Sequence, residues 1–380
     1  MRGRVLAAVF MAAFCGATVP VPPAGAADRV VGPGNCDEGG FDSALAAVDG
    51  SGGGTITFNC NTATITFTNY RQIAHAVTID GGGTITFDGG GTSAFFQVYA
   101  SANVALKRLV LQHGAFASSH ALENFGLLRL DQVTVRDNAS TGPSILNQGS
   151  LVVERSTFSG NTNSGTATNG HGGAILNDGG TARIRYSTFG NNAATSGGGA
   201  IYSTSEIDVS NTTFTGNRTT GAGSGGAAIY QTGGGASTVT YATVAGNSGA
   251  GFGGGIYNDS NGSATLVVSR SILANNTNGN CDGVLTSGGY NLWFGSTSCP
   301  FSEPGDGAGD PKLGALANNG GPTQTMLPLA GSAAINRIPT AQCAIPVDQR
   351  GGGRPSGNGC DSGAVEAGAV LDLIFYDGFE

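Results

Sequence analysis

Few residues in this chain could do acid–base chemistry. Of 380 residues, 17 are Lys or Arg and 25 are Asp or Glu, for a net charge of −8. Asp131, Glu154 and Arg185 make the nearest approach to a cluster, each lying seven residues before an asparagine that recurs along the chain. On stacked repeats they would lie one above another on an outward strand face. Two carboxylates about 5–10 Å apart beside a base would suit glycan cleavage. A solvated face whose opposite charges meet across strands about 4.8 Å apart would look the same. Because the column continues as Ser210, Thr240 and Ser269, we read it as the solvated face and assign no catalytic residue. Glu206 and Asp208 form the one close acidic pair of the repeats.

Tyr202, Tyr230 and Tyr257 are the candidate binding residues. They form either a contact strip for a glycan or protein, or a ladder that only stabilises the sheet. His113 and His120 flank a loop and His171 precedes a Gly-Gly corner, with no fourth partner for a metal, so they read as solvated loop histidines. No cofactor is expected. The acids of 306–310, Asp306 and Asp310, are the one place where Ca²⁺ could bind.

The elements that must position these residues are repeats. Asn138, Asn161, Asn192, Asn217, Asn247 and Asn276 form a column with spacings of 23, 31, 25, 30 and 29 residues. Three residues before each stands an apolar side chain (Val135, Phe158, Phe189, Phe214, Val244, Leu273), and eight before each an aliphatic one. A second column runs Ile145-Leu146-Asn147, Ile175-Leu176-Asn177, Ile201-Tyr202-Ser203, Ile229-Tyr230-Gln231 and Ile256-Tyr257-Asn258. Each unit therefore holds three short alternating strands with Gly, Asn or Ser corners and no room for a crossover helix. Such a period implies a solenoid, and three strands in 23–31 residues match a coil of a single-stranded parallel β-helix, an all-β fold. The asparagines should form a ladder of side-chain amides, themselves taking the left-handed corner conformation. Weaker strands begin near Thr55. Before them, Phe41 to Val48 reads as a short helix with Asp42 as N-cap, closing the first coil. The segments 162–171 and 219–226 should leave the coils as loops at one corner.

The first residues indicate the compartment. Arg2 and Arg4, an apolar run from Val5 to Val19 and the small residues Ala24-Gly25-Ala26-Ala27 read as a secretory signal peptide cleaved after Ala26. Removal of Cys15 leaves six cysteines in three sequence-local pairs, predicting disulfides Cys36–Cys60, Cys281–Cys299 and Cys343–Cys360 in an oxidising compartment. With only Lys107 and Lys312 among its lysines, the chain lacks a nucleic-acid footprint. No later apolar stretch could span a bilayer, and a monomer is expected.

Two short motifs carry a resemblance. Gly172 to Ile175 and Gly198 to Ile201 match GGA[ILV], while Phe158 to Asn161, Phe189 to Asn192 and Phe214 to Asn217 match FxxN. Over roughly 60–300 the chain resembles the repeats of polymorphic outer membrane proteins, β-helical surface adhesins of Gram-negative bacteria. From Leu313 to Glu366 it is similar to the choice-of-anchor Q domain, through Asn318-Asn319-Gly320-Gly321-Pro322-Thr323, Asp348-Gln349-Arg350-Gly351 and Cys360-Asp361-Ser362-Gly363-Ala364-Val365-Glu366. It departs at Asn336, where that family has Asp, and at Val365, where Phe is usual. Together with the residue patterns above, the resemblance divides the chain into a signal peptide (1–26), an N-terminal cap (27–62), repeats (63–310), an anchor-Q-like region (311–367) and a tail (368–380). It implies a right-handed, pectin-lyase-like solenoid acting as a secreted or cell-surface adhesion protein of a Gram-negative-type bacterium, without catalysis. Since the tail holds neither an anchor helix nor a barrel, release or a non-covalent tether is expected. The alternative is a pectate-lyase-like polysaccharide lyase, or a glycoside hydrolase, acting on uronic-acid glycans.

Overall fold

A computed structural model describes residues 26–115, 120–259, 264–296 and 299–371. The expected signal peptide up to Gly25, Asn261 and the end of the tail lie outside the described residues. The chain winds into a right-handed parallel β-helix of about ten coils with very little helix.

Each coil follows from alternation. In Ile145–Asn147, Ile175–Asn177, Ile201–Ser203, Ile229–Gln231 and Ile256–Asn258 the first and third residues are buried and the middle one faces out. These strands pair in exact succession within a nine-stranded sheet, so Ile145, Ile175, Ile201, Ile229 and Ile256 stack coil on coil. The other two strands of each coil belong to a twenty-stranded sheet. There Phe158, Phe189 and Phe214 stack inside, with ring centroids 4.6 and 5.0 Å apart. No coil could bury such a face alone; stacking makes the core continuous.

The corners refine the sequence reading. The asparagine column does form a ladder: the amide of Asn138 donates to Asn161 Oδ1 at 2.9 Å, and the pattern continues through Asn192, Asn217 and Asn247 to Asn276. Each acceptor oxygen also takes the backbone N–H of the asparagine one coil back. The left-handed conformation, however, is not adopted by these asparagines. It falls on the residue before each of them: Asp137, Gly160, Asn191, Gly216, Gly246 and Asn275. The ladder asparagine keeps an ordinary backbone, which aims its amide along the axis.

A further corner was not expected. Gln132, Arg155, Tyr186, Asn211, Tyr241 and Arg270 all have φ between 46° and 55°. Most of these side chains resist that region, at about 1–3 kcal/mol each. At four of the six, a hydroxyl holds the turn: Ser156, Ser187, Thr212 and Ser271 each donate to the carbonyl two residues back. Ser156, Ser187 and Ser271 also accept an N–H from the preceding coil.

Two boundaries differ from the sequence expectation. The helix spans Glu38–Gly50, and its N-cap is Asp37, whose carboxylate accepts the Gly40 N–H at 2.9 Å. Asp42 lies inside the helix and pairs instead with Arg71, alongside Glu38. Phe41 plugs the first coils, its ring 5.0–6.3 Å from those of Phe58, Phe67, Phe87 and Phe96. The segments read as loops from Thr162 and Thr219 first pair between coils: Thr162–Asn163 and Arg218–Thr219 belong to a short four-stranded sheet with Ala139–Ser140 and Ala193–Ala194. The three predicted disulfides are formed.

Coil pairing continues to Gly307–Ala308. Beyond it the chain lies back along the outside of the solenoid. It covers outward residues of Thr188–Gly190, Thr213–Thr215, Thr243–Ala245 and Ile272–Ala274, leaving Thr188, Thr213, Thr243 and Ile272 at most 1% exposed.

Asn192→Ala should strand both Asn161 donors, the side-chain amide and the backbone N–H. A loss of about 1–3 kcal/mol per unpaired buried group is expected, read by urea unfolding against exposed Asn358→Ala, which should change little.

Candidate functional site

Three outward surfaces compete for function. The first is the charged face on which the sequence placed Asp131, Glu154 and Arg185. The structure puts them in register on consecutive coils. Asp131 is held by Arg155 through contacts of 2.6 and 2.8 Å. Arg185 and Arg183 both reach Asp208, at 3.2 and 3.5 Å. A shallow groove of about 490 Å³ runs beside them, lined in part by Val152, Arg183, Glu206, Asp208 and Thr238. Here Asp131 and Asp208 serve as partners for arginines projecting from neighbouring coils, as an outward charged sheet face favours.

The second surface is the segment 311–367 against the coils, several of whose residues form a clamp. Gln349 Nε2 lies 3.0 Å from the Ser187 carbonyl and 2.9 Å from Thr188 Oγ1, while its Oε1 accepts the Thr213 hydroxyl at 2.7 Å. Asp348 binds Arg350 at 2.8 Å. Arg354, wholly buried, meets Glu366 at 3.3 Å, donates to Asn211 Oδ1 and lies over the Tyr241 ring. Burial pushes the Asp361 and Glu366 carboxyls up, against backbone N–H donors that pull them down. Asn336, at φ 54°, accepts the Gly359 N–H and donates its own to Asp361. Its position needs a side chain that tolerates this backbone, which Asn does.

The third surface is the outer column of the nine-stranded sheet. Because the middle residue of each strand points out, pairing aligns Gln72, Gln97, Glu123, Leu146, Leu176, Tyr202, Tyr230, Tyr257 and Asp282. Its first members are tied by hydrogen bonds, Gln72 to Gln97 at 3.0 Å and Gln97 to Glu123 at 2.8 Å. The aromatic half begins with His171, which the sequence set apart from the tyrosines. Its ring stacks on Tyr202 at 4.0 Å, and its Nδ1 accepts the Gly197 N–H. Burial holds the imidazole below its ordinary pKa.

Ring geometry decides what this stripe can touch. Tyr202 is sandwiched between His171 and Tyr230, with interplanar angles of 29° and 24°. Its faces are covered, so Tyr202 can offer a ligand its edge and hydroxyl but not a stacking surface. Tyr257 breaks the stack, standing at 61° to Tyr230. Phe252, tilted 37° from Tyr257 at 5.2 Å, is 38% exposed. Phe252 was not picked out in the sequence because it lies in a loop outside the strand column. Burial raises the Tyr202, Tyr230 and Tyr257 pKa values, helped by the charge of Asp259 on all three, of Asp178 on Tyr202 and of Asp282 on Tyr257. Tyr230 donates to Asp259 at 3.4 Å.

No known family model, curated protein or solved structure matches the chain.

Other sequence candidates are dispersed. His113 lies 3.1 Å from Asp88 and His120 3.6 Å from Glu123. Among the described residues no group of three or more His, Cys, Asp or Glu is placed to hold a metal ion. Asp306 accepts the Asn291 and Glu303 N–H groups and the Ser287 hydroxyl, and Asp310 accepts the Lys312 N–H. Asn-x-Ser/Thr sequences begin at Asn138, Asn211, Asn217, Asn258, Asn261 and Asn275; Asn138 and Asn217 are in the main ladder, and Asn258 is buried in the nine-stranded sheet. Asn211 and Asn275 are left-handed corner residues.

Two measurements follow. Gln349→Leu should release the C-terminal segment locally and speed tryptic cleavage after Lys312 and Arg350, with the solenoid core left intact on the gel. The ladder phenols, held above the ordinary value of about 10, contribute stability that is present below that pH and lost as pH rises through their folded values. Ultraviolet titration should show them ionising last, and Asp259→Asn should bring them lower.

Proposed function

We propose that this chain is a non-catalytic binding protein of the cell exterior, with the outer column from Leu146 to Asp282 as its working surface. The basic-then-apolar first residues and the three disulfides fit an oxidising exterior. No helix among the described residues is long and apolar enough to cross a membrane. The resemblance to adhesin repeats points the same way.

One observation carries the reading. An outward sheet face in water is ordinarily polar, yet this one carries two leucines, three tyrosines and a flanking phenylalanine in fixed succession along the axis. A glycan is favoured as ligand, since amphipathic rings with hydroxyl tips suit a surface that is apolar and polar by turns. The lyase reading draws on the groove beside Arg183, Glu206 and Asp208.

The test is binding of the purified chain to immobilised polysaccharides and bacterial surfaces, alongside an assay for unsaturated or reducing-end products. Saturable binding that falls by about tenfold or more in Tyr257→Ala/Phe252→Ala is the expected result. Turnover of a uronic-acid glycan that drops in Glu154→Gln or Arg185→Ala would overturn the proposal and make the charged face the site.

A further inference from the structure

We infer that the C-terminal end of the aromatic ladder, where Tyr257 and Phe252 meet Asp259 and Asp282, binds the ammonium groups of a linear amino-sugar polymer. The inference rests on the proposed working surface and names the ligand it would select.

Ring faces come first. Stacking on His171 and Tyr230 covers both faces of Tyr202, whereas the turn of Tyr257 to 61° ends the stack. Tyr257 and Phe252 then open as a tilted pair, with Phe252 the more exposed ring. A cation over such faces is attracted by the ring quadrupole.

Charge comes second. Asp282 is the next member of the outward column, in register with Tyr257 and therefore about 4.8 Å away along the axis. It is exposed, and its position is enforced by a glycine. A methyl group on Gly253, the residue after Phe252, would lie 2.9 Å from Asp282 Cβ. The missing side chain thus lets the Phe252 loop close onto the carboxylate. Asp259, two residues beyond Tyr257, accepts the Tyr230 hydroxyl at 3.4 Å and sets a second carboxylate beside the ladder. Two carboxylates beside the exposed Phe252 ring favour a cation and repel a uronate.

The polymer is inferred from the rest of the column. The Tyr202 and Tyr230 edges continue from the cation site along the axis at steps of 4.7–4.8 Å. A pyranose chain in an extended β-linked form advances by a similar step, so its next rings would meet phenol groups. A lone ammonium compound would use only the end.

Titration calorimetry on the disulfide-bonded chain tests this with a glucosamine tetramer, its N-acetylated counterpart, a galacturonate tetramer and tetralysine. The glucosamine tetramer should bind about tenfold tighter than the acetylated one, weaken with added salt, and exceed tetralysine; the galacturonate should not bind. Asp282→Asn should weaken the glucosamine tetramer far more than the acetylated one, cutting the preference for the free amine. Phe252→Ala should weaken both sugars, and Tyr257→Phe, which keeps the ring, should retain binding. Equal affinity for the two glucosamine forms, with dependence on Phe252, would overturn the charge selectivity and leave the working surface standing. Tighter binding of galacturonate or tetralysine would overturn the ligand class. No binding by any probe would overturn both.

Discussion

A buried asparagine amide must be satisfied in full, and in this protein it is satisfied by the next coil. Each ladder oxygen accepts a side-chain N–H and a backbone N–H from one neighbour, while its own nitrogen donates to a backbone carbonyl and to the following asparagine. Leaving such groups unpaired would cost far more than each bond contributes. Coil register is therefore locked: a slip of one residue would strand the corner amides and turn the apolar column outward. Uniform stacking of the isoleucines and phenylalanines, and the alignment of every outward column, depend on that constraint.

Once register is locked, each outward side chain is repeated at the rise of one coil, and what it meets decides its use. Opposite charges become ion pairs, as with Arg155 and Asp131. Small hydroxyl residues become a bed for the C-terminal segment, which seals them with Gln349 and a buried Arg354–Glu366 pair. Aromatic rings stack upon one another. That last outcome consumes the ring faces of Tyr202 and transfers the accessible ones to Tyr257 and Phe252. A repeating surface thus acquires a distinct end, where stacking stops and two carboxylates gather.

Much of the fold was legible in the sequence because alternation and the asparagine spacing are local signals. The Ile-Tyr alternation showed that one of the two columns faces out, and the stacked isoleucine core decided that it is the tyrosines. The covering of the Tyr202 faces could not, because it depends on the side-chain rotation that packing selects. Nor did the sequence reveal His171 and Phe252 as neighbours of that column, since both reach it from loops of differing length. Asp42 looked like an N-cap on composition; Asp37 took the role because the helix begins at Glu38, three residues before the expected Phe41, leaving Asp42 free to pair with Arg71. The left-handed corner at Arg155, Tyr186 and Arg270 left no trace in residue type, because the hydroxyls of Ser156, Ser187 and Ser271 supply stability that glycine would otherwise provide.

By itself, then, the order of residues determined the solenoid and its three disulfides, for these depend on periods and on cysteines close in sequence. Tertiary structure decided where the segment from 311 to 367 lies and which rings remain open. Both are settled by contacts between residues far apart in sequence, such as Gln349 with Thr213 and Gly253 with Asp282. Such contacts exist only after the coils have stacked, and no local pattern encodes them.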